Sequence, residues 1–226
     1  MTQLFYLVVI NIINLFYNLG LFILEVALLS HKIWWWKMRG LLFLSYFSDG
    51  PYSIVRKEGK RAPVLPQNLT YGETPCLTIR KILQELELKP SDHFVDLGCG
   101  RGLTVFFVNQ YFHIPTTGID IIPTFIRRAK VLTKNLGLTQ VSFIKENLSW
   151  LTLEQIGKGT IFYLTGTAFE EELLAKIASR LELLPIGIKL ITLSETLPST
   201  QFQVIKIKPF YFSWGKVDVY FHEKIG

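Results

Sequence analysis

Residues 93–103 read HFVDLGCGRGL and carry the most informative pattern in the chain. An apolar run ends in Asp96, and Gly98, Gly100 and Gly102 then alternate with other residues. Glycine permits φ > 0 and has no Cβ, so such a run after a strand allows either a tight turn or the close approach of a ligand to the backbone. The rest of the chain discriminates between these two interpretations.

Strand and helix patterns alternate on both sides of this stretch. Helical patterns are predicted at 76–88, 103–112, 123–137 and 169–184. Strand patterns are predicted at 93–97, 116–121, 141–147, 159–165 and 187–194. This alternation predicts an α/β fold with a doubly wound, mostly parallel sheet. Two consecutive strand patterns, QFQVIKIKPF and SWGKVDVYFH, end the chain and predict an antiparallel hairpin at the sheet edge.

Acidic residues lie at the carboxyl ends of the first three predicted strands, where such sheets bind ligands. Asp96 lies within D-x-G-x-G-x-G, which departs from the G-x-G-x-x-G of dinucleotide-binding loops. A carboxylate there repels phosphates and can accept a hydrogen bond from an α-amino group. Asp120 can accept both hydroxyls of a ribose, and Glu146 lies where an adenine amino group would come. The set predicts S-adenosylmethionine as the cofactor; the alternative is a plain glycine turn with acids facing water.

With these features the chain resembles the class I methyltransferases. It is more closely similar to the disruptor-of-telomeric-silencing family, the histone lysine methyltransferases that lack a SET domain. The similarity covers about residues 71–223, including YGETPCLTIRKILQELELKPSDHFVDLGCGRGL, GTIFYLTGTAF and FSWGKVDVYFHE. It implies a Rossmann-like seven-stranded sheet and a Y-G-E-T loop that folds over the cofactor. Tyr71, Glu73 and Thr74 thereby join Asp96, Gly98, Gly100, Gly102, Asp120 and Glu146 as candidate cofactor-binding residues.

The chain departs from that family after the fourth strand. Paired asparagines mark the lysine entrance in the family, whereas this chain has Thr165 and Gly166. Methyl transfer needs an in-line nucleophile held near ~3 Å and little else. No Cys/His cluster is spaced for a metal, and none is expected. Thr165 can accept a hydrogen bond from an amine, Gly166 opens space beside the methyl group, and Phe169 walls the channel. These three are the candidate catalytic residues, and Thr167 also follows strand four beside the expected methyl group. Trp214 and Tyr220 on the last strand either complete the wall of the channel or are plain core residues.

The N-terminus is strongly apolar. From Leu4 to Leu29 there is no Lys or Arg and one acid, Glu25. A helix of this length measures about 39 Å, against a hydrocarbon thickness of about 30 Å. The run predicts one transmembrane helix, with a buried core helix as the alternative. The following HKIWWWKMRG predicts an interfacial tryptophan belt on the cytoplasmic side.

Three segments are therefore expected: a transmembrane anchor with its interfacial flank at 1–40, a juxtamembrane connector at 41–70, and a methyltransferase domain at 71–226. The net charge is +6, and residues 1–61 contain seven basic and three acidic residues. Because this excess lies beside the predicted anchor, it favours anionic lipid over nucleic acid as a partner. A single-pass membrane protein with a cytoplasmic catalytic domain is expected.

Three functions fit these observations. The first is methylation of a lysine in a membrane-associated protein, which a second resemblance favours: small lysine methyltransferases with one N-terminal span. The second is methylation of a lipophilic small molecule such as a quinone or pigment. The third is a non-catalytic, membrane-tethered scaffold, which the intact Asp96, Asp120 and glycine set disfavour.

Overall fold

A computed structural model of the chain describes residues 2–62, 69, 71–166 and 169–226, and the side chains of these residues except 2–12 and 61. Thr167, predicted to lie beside the methyl group, and residues 63–68 and 70 of the predicted connector lie outside the described residues.

A seven-stranded sheet forms the centre of the protein, in the order β3-β2-β1-β4-β5-β7-β6. The strands are β1 (Phe94–Leu97), β2 (Thr116–Asp120), β3 (Val141–Lys145), β4 (Ile161–Leu164), β5 (Lys189–Leu193), β6 (Phe202–Phe212) and β7 (Gly215–Lys224). Strands β1 to β5 are parallel, and β7 runs antiparallel between β5 and β6. The predicted parallel sheet with a C-terminal antiparallel hairpin is confirmed.

Eight α-helices surround the sheet in the described part of the chain. They are α1 (Thr2–Leu29), α2 (Ile33–Tyr46), α3 (Pro51–Glu58), α4 (Cys76–Leu83), α5 (Leu103–Phe112), α6 (Pro123–Leu136), α7 (Leu153–Ile156) and α8 (Glu171–Leu181). Helix α4 ends at Leu83, earlier than the end predicted at residue 88. Glu85, beyond that end, pairs with Lys206 and Lys208 of β6, a tertiary contact that the local pattern does not contain.

Two hydrophobic clusters cover the two faces of the sheet. One contains buried side chains of α2, α4, α5 and α6 together with Phe94 and Phe221 of the sheet. The other contains Leu173 and Ile177 of α8 with Phe162 of β4. Both faces of the central strands are thus shielded from water, and their polar carboxyl ends provide the accessible edge.

Polar residues of helix α1 form hydrogen bonds to the rest of the domain. The Tyr17 hydroxyl donates to the Phe212 carbonyl at 2.8 Å, and the Asn18 amide donates to the Ser213 carbonyl at 3.0 Å. Glu25 is buried and accepts a hydrogen bond from the Cys76 backbone N–H at 2.5 Å. Burial raises the pKa of Glu25, while the charge of Arg39 opposes that rise.

No helix in the part of the chain that the structure describes combines the length and apolar character that a membrane crossing requires. The transmembrane span predicted over residues 4–29 is therefore not supported. Hydrogen bonds to the domain explain the position of helix α1. Tyr17, Asn18 and Glu25 have partners there that the local sequence does not reveal.

Helix α2 is a core element, and this corrects the predicted tryptophan belt. Trp35 is fully buried in the same cluster as the sheet, together with Met38, Leu42 and Tyr46, whereas Trp36 is 48% exposed. Helix α2 also crosses the segment boundary expected at residue 40.

The expected connector contains helix α3, which is hydrogen-bonded to helix α6. The Glu58 carboxylate accepts hydrogen bonds from the backbone N–H and the hydroxyl of Thr124, at the start of α6. Arg128 of α6 donates to the Asp49 carbonyl at 3.2 Å, just before α3. Residues 13–62 therefore pack as part of the domain that begins at residue 71.

The neighbouring tryptophans of α2 provide a matched test of this packing. Trp35→Ala should lower the free energy of unfolding by about 3–5 kcal/mol, because it empties a large volume in the core. Trp36→Ala should change it by less than about 1 kcal/mol, since that side chain is half exposed. Urea denaturation of both variants measures the difference, and equal losses would contradict the core position of Trp35.

Candidate functional site

A cavity of about 500 Å³ opens at the carboxyl edge of the sheet. The ends of β1, β2, β3 and β4 form its floor, and the N-terminal helices with the β6–β7 turn form its roof. Its floor residues include Gly98, Gly100, Asp120, Asn147 and Thr165. Its roof residues include Asn18, Tyr52, Tyr71, Ser213 and Trp214.

The glycine loop takes a backbone conformation that side chains rarely allow. Gly98, Gly100 and Gly102 have φ values of 91°, 53° and 84°. The N–H groups of Gly98 and Cys99 donate to the Ile119 carbonyl at 2.8 and 3.0 Å, which fixes the loop against β2. A Cβ at Gly100 would lie 2.9 Å from the Tyr71 ring. The glycines are therefore required both for the turn and for the close approach of the roof.

Asp96 is a buried carboxylate at the end of β1. The Thr104 hydroxyl of α5 donates a hydrogen bond to its Oδ2. Burial raises the pKa of Asp96 to about 7; the Thr104 hydrogen bond opposes this rise, and the charge of Asp120 adds to it. Among the described residues no cationic side chain pairs with Asp96, and a buried carboxylate of this kind is suited to bind a cationic group of a ligand.

Asp120 is oriented by the backbone around it. Gly100 N–H donates to Oδ2 and Ile122 N–H donates to Oδ1, both at 2.8 Å. Burial raises the pKa of Asp120 to about 6, and these backbone hydrogen bonds limit the rise. Each carboxylate oxygen keeps a lone pair for a further donor, which fits the predicted role of accepting ribose hydroxyls.

The carboxylate of the third predicted acid, Glu146, is hydrogen-bonded to residues that follow it closely in the chain. Its carboxylate accepts from the Asn147 N–H at 2.8 Å and from the Gln155 amide at 3.1 Å. The neighbouring Asn147 and Leu148 line the large cavity instead. At the end of β3, Asn147 and Leu148 therefore line the cavity, and the predicted Glu146 is not among the described lining residues.

The Y-G-E-T loop is joined to the glycine loop by an ion pair. Arg101 donates two hydrogen bonds to the Glu73 carboxylate, from Nε to Oε1 and from Nη2 to Oε2, the latter at 2.6 Å. The Tyr71 hydroxyl also donates to Glu73, at 2.7 Å. Thr74 shares a 2.7 Å hydrogen bond with the buried Tyr163 hydroxyl of β4. Glu73 and Thr74 thus fasten the loop, while the Tyr71 ring contacts the cavity.

The roof is completed by elements far away in sequence. The Ser213 hydroxyl donates to the Glu73 carbonyl at 3.1 Å, and Asn18 holds the Ser213 carbonyl. A Cβ at Gly72 would lie 2.8 Å from the Trp214 ring, so the β6–β7 turn rests directly on the Y-G-E-T loop. Helix α1, the β6–β7 turn and residues 71–74 are therefore one connected layer above the site.

The three predicted catalytic residues lie together after β4 but face different spaces. Thr165 and Phe169 line the large cavity. Gly166 lines a separate small cavity beside Leu193, and a Cβ there would meet the Phe169 ring at 2.5 Å. The absence of a side chain at Gly166 thus leaves room for the Phe169 ring on the side away from the large cavity. Trp214 lines the large cavity, whereas Tyr220 stacks on His222 within β7.

A second, smaller cavity adjoins the first. Asp96, Thr104, Glu73, Thr74 and Tyr163 are among the residues that line it. Residues that border both cavities are Tyr71, Gly72, Gly98, Gly100 and Thr165. The two spaces therefore meet at Thr165, between the Asp96 end and the Asp120 end of the site.

Several lining residues were missed from the sequence. Asn147 directly follows the predicted Glu146, so the end of β3 was a usable signal. Phe125 could have been inferred from its place in the first turn of α6, beside the β2 end. Asn18 and Tyr52 carry no local signal, because they approach the cavity only through the packing of α1 and α3.

Comparison with known proteins gives the following similarities. The profile of the family described as "Histone methylation protein DOT1" matches residues 66–208. The 23S rRNA (uracil(1939)-C(5))-methyltransferase RlmD of Klebsiella pneumoniae is 31% identical over 71 residues, which are 31% of this chain and 16% of that protein. This chain thus matches only a small part of that relative's length.

Solved structures share the fold. An RNA methyltransferase from Salinibacter ruber, in complex with S-adenosyl-L-homocysteine, has a TM-score of 0.56 and 19% identity over 67% of this chain and 93% of its own. Magnesium protoporphyrin IX methyltransferase from Synechocystis PCC 6803, with bound SAM, has a TM-score of 0.52 and 15% identity over 66% of this chain and 79% of its own. These likenesses establish a class I methyltransferase fold.

The raised pKa of Asp96 predicts pH-dependent binding of the cofactor expected from the sequence. The ionised carboxylate attracts an ammonium group, so affinity for S-adenosylmethionine should fall as pH drops below about 7. Above about 8 the ligand's own α-amino group loses its proton, which limits the useful range. Calorimetric titration between about pH 5.5 and 7.5 measures the trend.

Asp96→Asn is the control for this titration. It should weaken binding at pH 7.5 by roughly ten- to a hundredfold, through loss of a charged hydrogen bond of about 1.5–3 kcal/mol. It should also flatten the pH dependence, leaving a smaller contribution from Asp120. An unchanged slope in this variant would remove Asp96 from the binding site.

The Glu73–Arg101 pair predicts coupled effects on cofactor affinity. Arg101→Ala and Glu73→Gln should each weaken binding by roughly tenfold, because each releases the loop above the site. The double variant should be little worse than either single variant, since both remove the same interaction. Lys176→Ala, which breaks the exposed pair with Glu172, should have no effect. Additive losses in the double variant would contradict a shared clamp.

Proposed function

The chain belongs to the DOT1 family of histone methylation proteins, and we propose that it methylates a lysine of a membrane-associated protein. It is a methyltransferase whose cofactor is S-adenosylmethionine. The family and fold support the reaction, and the arrangement of the cavity supports the acceptor.

The residues of the site fit this cofactor. Asp96, buried beside Thr104, can hold the ammonium group, and Asp120 can hold the ribose hydroxyls. Asn147 and Leu148 border the space expected for adenine. Gly98 and Gly100 leave the backbone uncovered where the two cavities meet, which allows the ligand to pass between them. An intact set of this kind disfavours the non-catalytic scaffold.

The observation that carries the proposal is the position of Thr165 at the junction of the two cavities. The reactive sulfonium of S-adenosylmethionine links its amino-acid part to its adenosyl part and supplies the methyl group. With Asp96 lining one cavity and Asp120 the other, that centre would lie near their junction. Thr165 therefore lies where an acceptor must arrive, and the Phe169 ring walls the same space.

The protein's own contribution is to hold and dehydrate the acceptor. A hydroxyl at Thr165 can accept a hydrogen bond from an amine and aim its lone pair. The apolar walls, which include Val55, Leu69, Phe125 and Leu173, favour the neutral, nucleophilic form of a lysine by disfavouring its charge. Among the described residues that line the large cavity, Asp120 is the one carboxylate, and its place is at the cofactor.

A lipophilic small molecule is the second candidate acceptor. The aromatic side chains of Tyr52, Phe125, Phe169 and Trp214 give the large cavity walls on which a flat apolar ring could stack. RNA is a third class of acceptor to test, because two of the similar proteins are RNA methyltransferases. The expectation against nucleic acid rested on the basic residues lying beside the predicted transmembrane helix, which the structure does not support. We place the protein at a membrane, with the catalytic domain on the cytoplasmic side.

Label transfer from radioactive S-adenosylmethionine distinguishes these acceptors. The full chain is incubated with native membranes and, separately, with total RNA, and counts are measured in protein, extractable lipid and RNA. Acid-stable counts in protein, recovered as methyl-lysine after hydrolysis, are expected. Counts in lipid would establish the second candidate instead, and counts only in RNA would refute both membrane acceptors.

Variants of the junction define the controls. Asp96→Asn should abolish transfer to every acceptor through loss of cofactor affinity. Thr165→Val keeps the side-chain shape, so it should lower transfer about tenfold or more with little change in cofactor affinity. Gly166→Val should displace Phe169 and reduce transfer in the same way. Unaltered transfer by both variants would place the acceptor elsewhere.

A further inference from the structure

We infer that the outer face of helices α1 and α2 lies in one leaflet of an anionic bilayer, without crossing it, and brings the mouth of the cavity to the lipid surface. The inference deepens the proposed function, because it assigns the membrane surface from which the acceptor is reached. It differs from the transmembrane span expected from the sequence, since it uses the packed position of both helices.

The exposed face of α2 is apolar. Ile33, Trp36, Phe43, Leu44 and Phe47 recur at helical spacing and are all exposed. The opposite face, with Trp35, Met38, Leu42 and Tyr46, is buried in the core. The helix therefore has apolar side chains on its exposed side, beside Lys37, as well as on the side that protein covers. Such a helix needs a second apolar surface.

Helix α1 continues this surface. Leu15, Phe16, Leu19 and Ile23 are exposed, while Tyr17, Asn18 and Glu25 hold the helix to the domain. The Arg39 guanidinium of α2 lies over the Phe22 ring of α1 at 5.6 Å, so the two helices are neighbours. Because Tyr17, Asn18 and Glu25 are engaged by the domain, α1 presents these apolar residues outward, together with the exposed Asn14, without leaving the fold.

The charges around this apolar face favour anionic phospholipid over another protein surface. Within residues 13–60 the exposed basic side chains are Lys32, Lys37, Arg56, Lys57 and Lys60, of which Lys57 pairs with Asp49. The acids of the same range all have partners in the fold: Glu25, Asp49 and Glu58. Exposed tryptophan and tyrosine at Trp36 and Tyr52 suit the headgroup level. Apolar and basic residues on the same helices are typical of segments that lie in one leaflet.

Helices α1 and α3 border the methyltransferase cavity. Asn18 of α1 and Tyr52 of α3 are lining residues, next to Ser213 and Trp214 of the roof. A bilayer against α1 and α2 therefore places lipid-embedded or membrane-bound acceptors beside the entrance. Confinement to the surface raises the effective concentration of such acceptors.

Vesicle sedimentation of the full chain tests the inference. Phosphatidylcholine vesicles with and without phosphatidylglycerol serve as probes, and binding is expected with the anionic vesicles. Phe43→Ser combined with Phe47→Ser should weaken that binding about tenfold or more, since both side chains are exposed in the fold at 61% and 75%. Alkaline carbonate should release the bound protein, because a helix in one leaflet is not retained.

A matched control carries the same substitutions on the other side of the protein. Leu183→Ser combined with Ile186→Ser changes residues exposed at 57% and 69%, near the cluster on the opposite sheet face. It should leave vesicle binding unchanged. The inference is overturned by absence of vesicle binding, by equal loss in the control, by retention after carbonate, or by a dimer that covers the face in place of lipid.

Failure of this inference is distinguishable from failure of the proposed function. Cofactor affinity and label transfer into detergent-extracted membrane protein are measured on the same Phe43→Ser/Phe47→Ser protein. Normal values with lost vesicle binding are expected, because neither residue lines the cavity. Vesicle binding by a protein that transfers no label would instead contradict the methyltransferase assignment and leave the membrane surface standing.

Discussion

The ion pair between Arg101 and Glu73 connects the two halves of the site. Arg101 lies between Gly100 and Gly102, which both have positive φ. Its guanidinium donates two hydrogen bonds to the Glu73 carboxylate of the Y-G-E-T loop. Tyr46 of α2 lies 5.6 Å beneath the same guanidinium, and Tyr71 donates to the same carboxylate. A largely buried, bidentate pair holds both loops in one geometry because each charge would be costly without the other. Floor and roof are thus positioned together.

The N-terminal helices give the fold its individual character. They contribute Trp35 and Tyr46 to the core, Glu25 to the start of α4, and Asn18 to the β6–β7 turn. Because α4 follows the Y-G-E-T loop directly, these contacts extend from α1 to the cofactor end of the site. A segment that composition alone places in lipid is therefore joined by hydrogen bonds to the catalytic layer, and its outward face stays apolar.

Much of the sheet could be predicted because its signals are local. Each strand is a short apolar run, and helices α5 and α6 begin and end at residues whose backbone preferences are strong, such as Pro123 and Gly137. The acids at the strand ends follow from the same local pattern. The end of α4, the burial of Trp35 and the position of Asn18 could not be predicted, because each depends on partners more than a hundred residues away or on another layer of the fold.

The sequence by itself determined the α/β class, the glycine loop and the carboxylates Asp96 and Asp120, since strand periodicity and glycine spacing express backbone sterics that need no partner. Hydropathy could not determine where residues 13–47 lie, because a helix that packs on protein and one that lies in lipid bury the same kinds of side chain. Only the tertiary structure decided that, by giving Tyr17, Asn18 and Glu25 their hydrogen-bond partners and by bringing Thr165 to the junction of the two cavities.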